Sequence, residues 1–391
     1  MGSSTGAVRR SMRFHRPIVI AIGLVVAVLV GGLVPSWWCG RDADAWFRGD
    51  PVRVRGLAEE LVAFEADDDH QRATGASGEL TDMWGILAHQ MTALGLAQVC
   101  LDHPEWRERY APIVTRAAAK TLLPEMRSTF TAAWHGEDGM AVPESPRGHA
   151  YLSYAALALG MARLVDPAFP PDLATRQDAL IASYERRLLA SPTALLDTLP
   201  GEAYPTDVAA VAAAIAVHGR ATGADHGAVL AHWARQVRAV QIDRGSGLVW
   251  QRMGVDGQSH DAPRASGTGL AAYFAGFADR TLAQELATGF FRQQRSLLGF
   301  GAIHEYGPGY DGPGDIDSGP VILGISVSAT SFGLASARSL GYRDDFTRLF
   351  RTADLAGLPL RSGSRLRFAT AGVIGNALLL AFLTSGPELA R

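Results

Sequence analysis

The sequence has only two cysteines, Cys39 and Cys100, in 391 residues. Neither lies in a CxxC or Cys/His cluster, which excludes a structural zinc site and a disulfide framework. A Cys39–Cys100 bridge is the one pairing open to it in an oxidising compartment. Charge is sparse as well: 19% of residues are charged against 48% hydrophobic, and the formal net charge is −3. That composition excludes a disordered chain. No long basic run follows the first few residues, which excludes nucleic acid as a partner. The alternating pattern of half-buried strands is almost missing, and only GLVWQRMGVDG at 247–257 reads as a short hairpin. No metal or cofactor motif stands out, so none is expected, with Ca²⁺ on the clustered aspartates, through oxygen ligands, as the alternative left open.

What is present begins with an uncharged run, PIVIAIGLVVAVLVGGLV at 17–34. It is long enough to cross a bilayer as a helix. Arg9, Arg10, Arg13 and Arg16 precede it and Trp37 and Trp38 follow. Basic residues on one side and indoles at the other interface predict a single-pass anchor with the main body outside the cytoplasm. A cleaved signal is the competing reading, but no small-x-small site follows the run. A lipoprotein signal is opposed by bulky Trp38 directly before Cys39, and a twin-arginine signal fits the residues after Arg10 poorly. The expected organisation is a basic tail at 1–16, the membrane segment at 17–38, a linker at 39–55 and one domain at 56–391.

The domain repeats one pattern. An apolar helix rich in small residues is followed by a charged amphipathic helix, then by a loop rich in Gly, Pro and aromatics. Apolar members begin near residues 81, 149, 207, 265, 319 and 367; amphipathic members fall at 56–66, 105–130, 171–190, 225–240, 280–297 and 343–355. Repeats of roughly 50 to 67 residues signal a repeat architecture. Helices apolar all round must be buried on all sides, and helices with one charged face must lie outside. Six of each, alternating, predict an all-α (α/α)6 barrel. FATAGVIGNALLLAFLT at 368–384 also reads as a second membrane span, but Asn376 in its middle and its place in the repeat favour the sixth inner helix.

In such a ring the loops entering the inner helices share one mouth, and that is where the polar residues gather. The loops bring Asp67–Asp69, His70 and Asp82; then Trp134, Glu137, Asp138, His149 and Tyr154; then Glu202, Tyr204 and Asp207; then Trp250, His260, Asp261 and Arg264; then Glu305, Tyr306, Tyr310, Asp315 and Asp317. Carboxylates among aromatic platforms suit sugars and polyols, whose C–H faces stack on rings while hydroxyls bond to carboxylates. Asp315, Asp317, Asp207, His149 and Glu305 are the catalytic candidates. Trp134, Glu202, Tyr204, Trp250, His260, Asp261, Arg264, Tyr306 and Tyr310 are the substrate-binding candidates. Plainer readings compete. Asp207 and Asp317 also suit helix starts, His149 suits a hydrogen-bonded inner-helix position, and Asp67–Asp69 suit a solvated loop.

Over residues 80–355 the chain resembles the linalool dehydratase/isomerase-like family, an (α/α)6-barrel group. The resemblance rests on EDG at Glu137–Gly139, on GH with its Leu/Tyr-rich helix at Gly148–Tyr154, and on the aspartate-containing, Gly-rich loop before GISVSATSFGLASARSLG. It implies addition or removal of water on a terpene alcohol, with His149 in the pocket. The family's pocket cysteines are absent from the corresponding PGEAYPTD, which offers Glu202, Tyr204 and Asp207 instead. Three functions are thus expected to compete. A glycan hydrolase or lyase needs an acid and a second group flanking the scissile bond. A hydro-lyase or isomerase on a lipid-like alcohol needs an apolar pocket floor. A non-catalytic glycan- or lipid-binding barrel needs the aromatics without the carboxylate pair.

Overall fold

The computed structural model describes residues 8–66, 81–141, 148–315 and 318–386. In chain order the helices are α1 (Val8–Gly40), α2 (Ala43–Phe47), α3 (Pro51–Ala66), α4 (Thr81–Asp102), α5 (Arg107–Lys120), α6 (Pro124–Ala133), α7 (Ser153–Val165) and α8 (Pro171–Ala190). They continue as α9 (Pro205–Thr222), α10 (Gly227–Gln236), α11 (Ala265–Ala278), α12 (Arg280–Phe291), α13 (Val327–Leu340), α14 (Arg343–Gly357) and α15 (Gly372–Leu383). Short strands decorate the connections: β1 (Asp197–Leu199) with β2 (Glu202–Ala203), β3 (Gln294–Leu297) with β4 (Phe300–His304), β5 (Val321–Ile322) with β6 (Ile325–Ser326), and β7 (Pro359–Ser362) with β8 (Arg365–Phe368). The second and third pairs merge into one sheet in the order β3-β4-β6-β5.

The helices close a ring. Among the described residues α4, α7, α9, α11, α13 and α15 each pack on the next, and α15 returns to α4. Around them α5 and α6 back α4, α8 backs α7, α10 backs α9, α12 backs α11, α14 backs α13 and α3 backs α15. This is the (α/α) barrel that the alternation predicts. The burial follows the composition. In α9 every residue from Asp207 to Ile215 is buried, whereas α14 buries only Phe346, Leu349, Phe350 and Gly357, most of them at the i, i+3, i+4 spacing of a one-faced helix. The ring is tight because its facing positions are small. A Cβ built on Gly95 of α4 would stand 2.9 Å from Leu380 Cγ and 3.0 Å from the Ala381 backbone nitrogen of α15. Gly95→Ala should therefore lower stability despite the roughly 1 kcal/mol that Ala gains over Gly in a helix, because backbone cannot step aside as a side chain can. Urea denaturation showing equal or higher stability would refute this close approach.

The last apolar helix belongs to the barrel. Leu378 to Leu383 of α15 are buried, and Asn376 clamps β8 by accepting from Phe368 N–H at 2.8 Å and donating to Phe368 O at 3.0 Å. Among the described residues α1 alone is long and apolar enough to cross a membrane. Its residues 18–31 are all exposed, and its C-terminal part packs on α14.

Two expectations are corrected. The linker expected at 39–55 is mostly helical. The end of α1, then α2, then the start of α3 occupy it, because Trp46 and Phe47 find Phe350 and Phe346 at ring distances of 6.5 and 5.3 Å. The hairpin expected at 247–257 is a set of isolated bridges. Trp250 N–H donates to Gln241 O and Gln251 N–H to Ala262 O, so successive residues change partners and no ladder runs. Cys39 and Cys100 are both free and buried.

Candidate active site at the barrel mouth

The first turns of the inner helices converge on a cavity of about 90 Å³ lined by residues of all six, among them Trp84, Tyr154, Asp207, Ser266, Ser328 and Leu378. Tyr204, Thr206 and Gln251 add polar groups, while Leu87, Leu270, Phe332 and Leu378 form apolar wall and floor.

Asp207 is the carboxylate of this cavity. Pro205 opens α9, and its fixed φ sets the first turn. The N-cap residue Tyr204 makes no side-chain capping bond, and Asp207 stands in the first turn. Its Oδ2 accepts from Thr198 Oγ1 at 2.6 Å, and Oδ1 accepts from the Tyr154 hydroxyl. Asp207 thus stands where the helix-start reading expects, and its carboxyl also takes partners on β1 and α7. Burial pushes its pKa up, and the Thr198 and Tyr154 hydroxyls oppose that by stabilising the charged form.

The GH element supports this arrangement from behind. His149 adopts a left-handed backbone with φ of 54°. Its ring lies 4.2 Å from that of Trp134, and Nε2 is 2.7 Å from Glu137 Oε1. Burial lowers its pKa, with Glu137 opposing, so a neutral ring donating Nε2–H to the carboxylate fits best. Gly148 pairs with Asp197 on β1, where a Cβ would come within 2.6 Å of the Asp197 backbone. Trp134 Nε1 donates to Thr198 O at 3.0 Å. Together these contacts set the strand whose Thr198 hydroxyl holds Asp207. His149 itself does not line the cavity, contrary to expectation; its left-handed turn sets the ring against Trp134, tilted by 42°.

In the described part of the aspartate loop, Asp315 is tied into a cluster around Arg264. Arg264, the residue before α11, bonds Asp315 through Nη1 and Asp261 Oδ2 through Nη2 at 2.8 Å, with Tyr306 5.4 Å from the guanidinium. The second Asp315 oxygen accepts from Ser318 N–H at 2.9 Å. Both oxygens are thus engaged, and Asp315 does not line the cavity. Asp317 lies outside the described residues, as do Asp67–Asp69 and His70. Glu305 is fully buried one layer behind the wall. Ser266 Oγ donates to its Oε1 at 2.5 Å, while its backbone ties α11 to the β5–β6 turn through Ala265 N–H to Glu305 O and Glu305 N–H to Gly324 O. Burial lifts its carboxyl to about 7, against the hydroxyls of Ser266 and Ser326.

Of the remaining candidates, Tyr204 lines the cavity. Its hydroxyl donates to Glu202 at 3.0 Å, and Arg252 bonds the same carboxylate at 2.8 Å. Trp250 meets Tyr310 edge-on at 6.1 Å, away from the cavity, and His260 is exposed. Trp84, Ser266 and Ser328 escape the sequence reading. Each sits early in an apolar inner helix, where a small or aromatic residue carries no signal of its own.

No family model matches this chain, and no curated protein matches it. Among solved structures it is similar to the unsaturated glucuronyl hydrolase of Bacillus sp. GL1, responsible for the degradation of glycosaminoglycan. The TM-score is 0.53 at 12% identity, covering 86% of this chain and 96% of that one. A UGL variant with dGlcA-Glc-Rha-Glc gives a TM-score of 0.52 at 11% identity, covering 85% of this chain and 94% of that one. At such identity the likeness is one of fold.

Proposed function

We propose that the chain is a glycan-active hydrolase or lyase, held at a membrane by α1, in which Asp207 is the proton donor. The observation that carries this reading is a buried carboxyl, its pKa raised by burial, in a cavity lined by residues of all six inner helices. Burial that raises a carboxyl's pKa favours the protonated form that leaving-group protonation requires. Trp84 and Tyr204 supply ring faces, and Thr206, Gln251, Ser266 and Ser328 supply hydroxyl and amide partners for a polyol. The likeness in fold to a glucuronyl hydrolase supports the substrate class. Asp207 is the only carboxylate among the described residues of the cavity.

A second reading, a hydro-lyase or isomerase on a lipid-like alcohol as the linalool dehydratase/isomerase resemblance implies, is favoured by the apolar floor of Leu87, Leu270, Phe332 and Leu378. It uses the same donor. The full chain in lipid nanodiscs, incubated with neutral and uronate oligosaccharides and with long-chain allylic alcohols, tests both. New reducing ends without unsaturated uronate mark a hydrolase, new reducing ends with unsaturated uronate a lyase, and a diene formed with loss of water a hydro-lyase. Saturable binding with no product from any of them would leave a binding barrel and sink the enzymatic reading.

A further inference from the structure

The direction of α1 fixes which end of the barrel meets a bilayer. Contacts climb α14 as they descend the N-terminal helices. Phe47 meets Phe346, Trp46 meets Phe350, Gly40 meets Arg351, and Cys39 lies beside Asp354. Farther up, Ser36 packs against Gly299 and Gly32 against Leu298, at the tip of the β3–β4 hairpin. The two helices are therefore antiparallel. Outer helices end at the mouth, since their C-termini feed the loops that enter the inner helices. At 1.5 Å per residue, Gly32 stands roughly 10 Å beyond Cys39, while α14 ends roughly 5 Å beyond Asp354. The exposed apolar residues 18–31 thus project past the mouth, not past the opposite end.

The same rim carries apolar side chains that nothing in the barrel covers. Leu297 at the β3–β4 tip is 76% exposed and Leu323 in the β5–β6 turn 90% exposed, and Ile322, Val327, Leu355 and Leu358 are also exposed. Between α13, α14 and α15 lies a cleft of about 370 Å³ with mostly apolar walls, including Val327, Ala353, Ala356, Ile374 and Leu379. It shares Trp84, Ser328, Phe332 and Leu378 with the Asp207 cavity, so the cavity that holds the carboxyl and the apolar cleft adjoin. Solvent-facing leucines around such an opening mark an interaction surface, and the apolar helix leaving beside them names the partner as the bilayer.

We infer that the barrel sits mouth-down on the membrane and that its substrate is a bilayer amphiphile. The hydrocarbon chain lies in the α13–α14–α15 cleft, and the polar head reaches the Asp207 cavity. This rests on the anchoring and acid–base reading above and adds the substrate's second half.

Photolabelling tests it on the full chain in nanodiscs doped with a phosphatidylcholine that carries a diazirine on its acyl chain. The inference expects adducts on peptides spanning 325–331 and 370–379 as well as on residues 18–31. Ala356→Trp, at the exposed end of the cleft, should lose the cleft adducts and keep those on α1. Adducts on 18–31 with none in the wild-type cleft would overturn the inference and leave the anchor intact. Absence of adducts on 18–31 would remove the anchor, and the inference with it. The wild-type map decides the matter even where the variant fails to fold.

Discussion

Asp207→Asn should lower kcat by about 10²–10⁴-fold, the usual contribution of a positioned general acid. The substitution keeps the shape of the side chain and can still accept from Thr198 Oγ1, which stands at 2.6 Å. What it removes is the proton. A merely structural Asp207 would show the reverse, a lower melting temperature with kcat unchanged, and that outcome would end the catalytic assignment. The pH profile gives a second readout. Burial raises the Asp207 pKa, so activity should hold at low pH and fall as pH rises through that value. Tyr154→Phe removes one bond that favours the charged carboxylate. The basic limb should then move to higher pH. A limb that stays in place would mean that another group supplies the proton.

Glu305→Gln should remove a pH dependence of stability worth about 3 kcal/mol. The carboxyl is lifted from 4.5 to about 7 by burial, so the folded state holds its proton more tightly than the unfolded chain does. Its full stability is present below pH 4.5 and is lost as pH rises through about 7. Gln keeps the acceptor for Ser266 Oγ at 2.5 Å and forfeits the longer contact from Ser266 N–H at 3.3 Å. Denaturant titrations between acid and neutral pH should show the wild type losing stability and the variant losing less. Asp207 is raised as well, and Asp354, beside Cys39, is lifted to about 6. Both tilt the two proteins alike, so the difference isolates Glu305. Parallel slopes would mean that Glu305 is ionised in the fold and that Arg264 outweighs burial.

The ring was legible because its signal is local and repeated. Small apolar helices such as α9 cannot face water, charged partners such as α14 cannot be buried, and the alternation leaves closure as the way to cover both. That alternation also located the mouth, since all the polar loops precede inner helices. It could not rank the residues there. The three aspartates of GYDGPGDIDSGP look like acid–base groups in sequence, yet Asp315 is claimed by Arg264, 51 residues away. The histidine of the GH element is drawn onto Trp134 by a left-handed turn that no periodicity encodes. Asp207 reads as an ordinary helix start until β1 folds back and puts Thr198 against it.

The sequence by itself determined the helices, their inner or outer rank and the apolar helix that precedes them, because hydrophobic period and composition act within one segment. Only the tertiary structure decided which carboxyl is buried among hydroxyls, which is neutralised by an arginine, and which end of the barrel α1 leaves from. Those are properties of pairs of residues brought together from different repeats. Desolvation and partner charge depend on what closes over a side chain, and the side chain's own neighbours in sequence do not specify that.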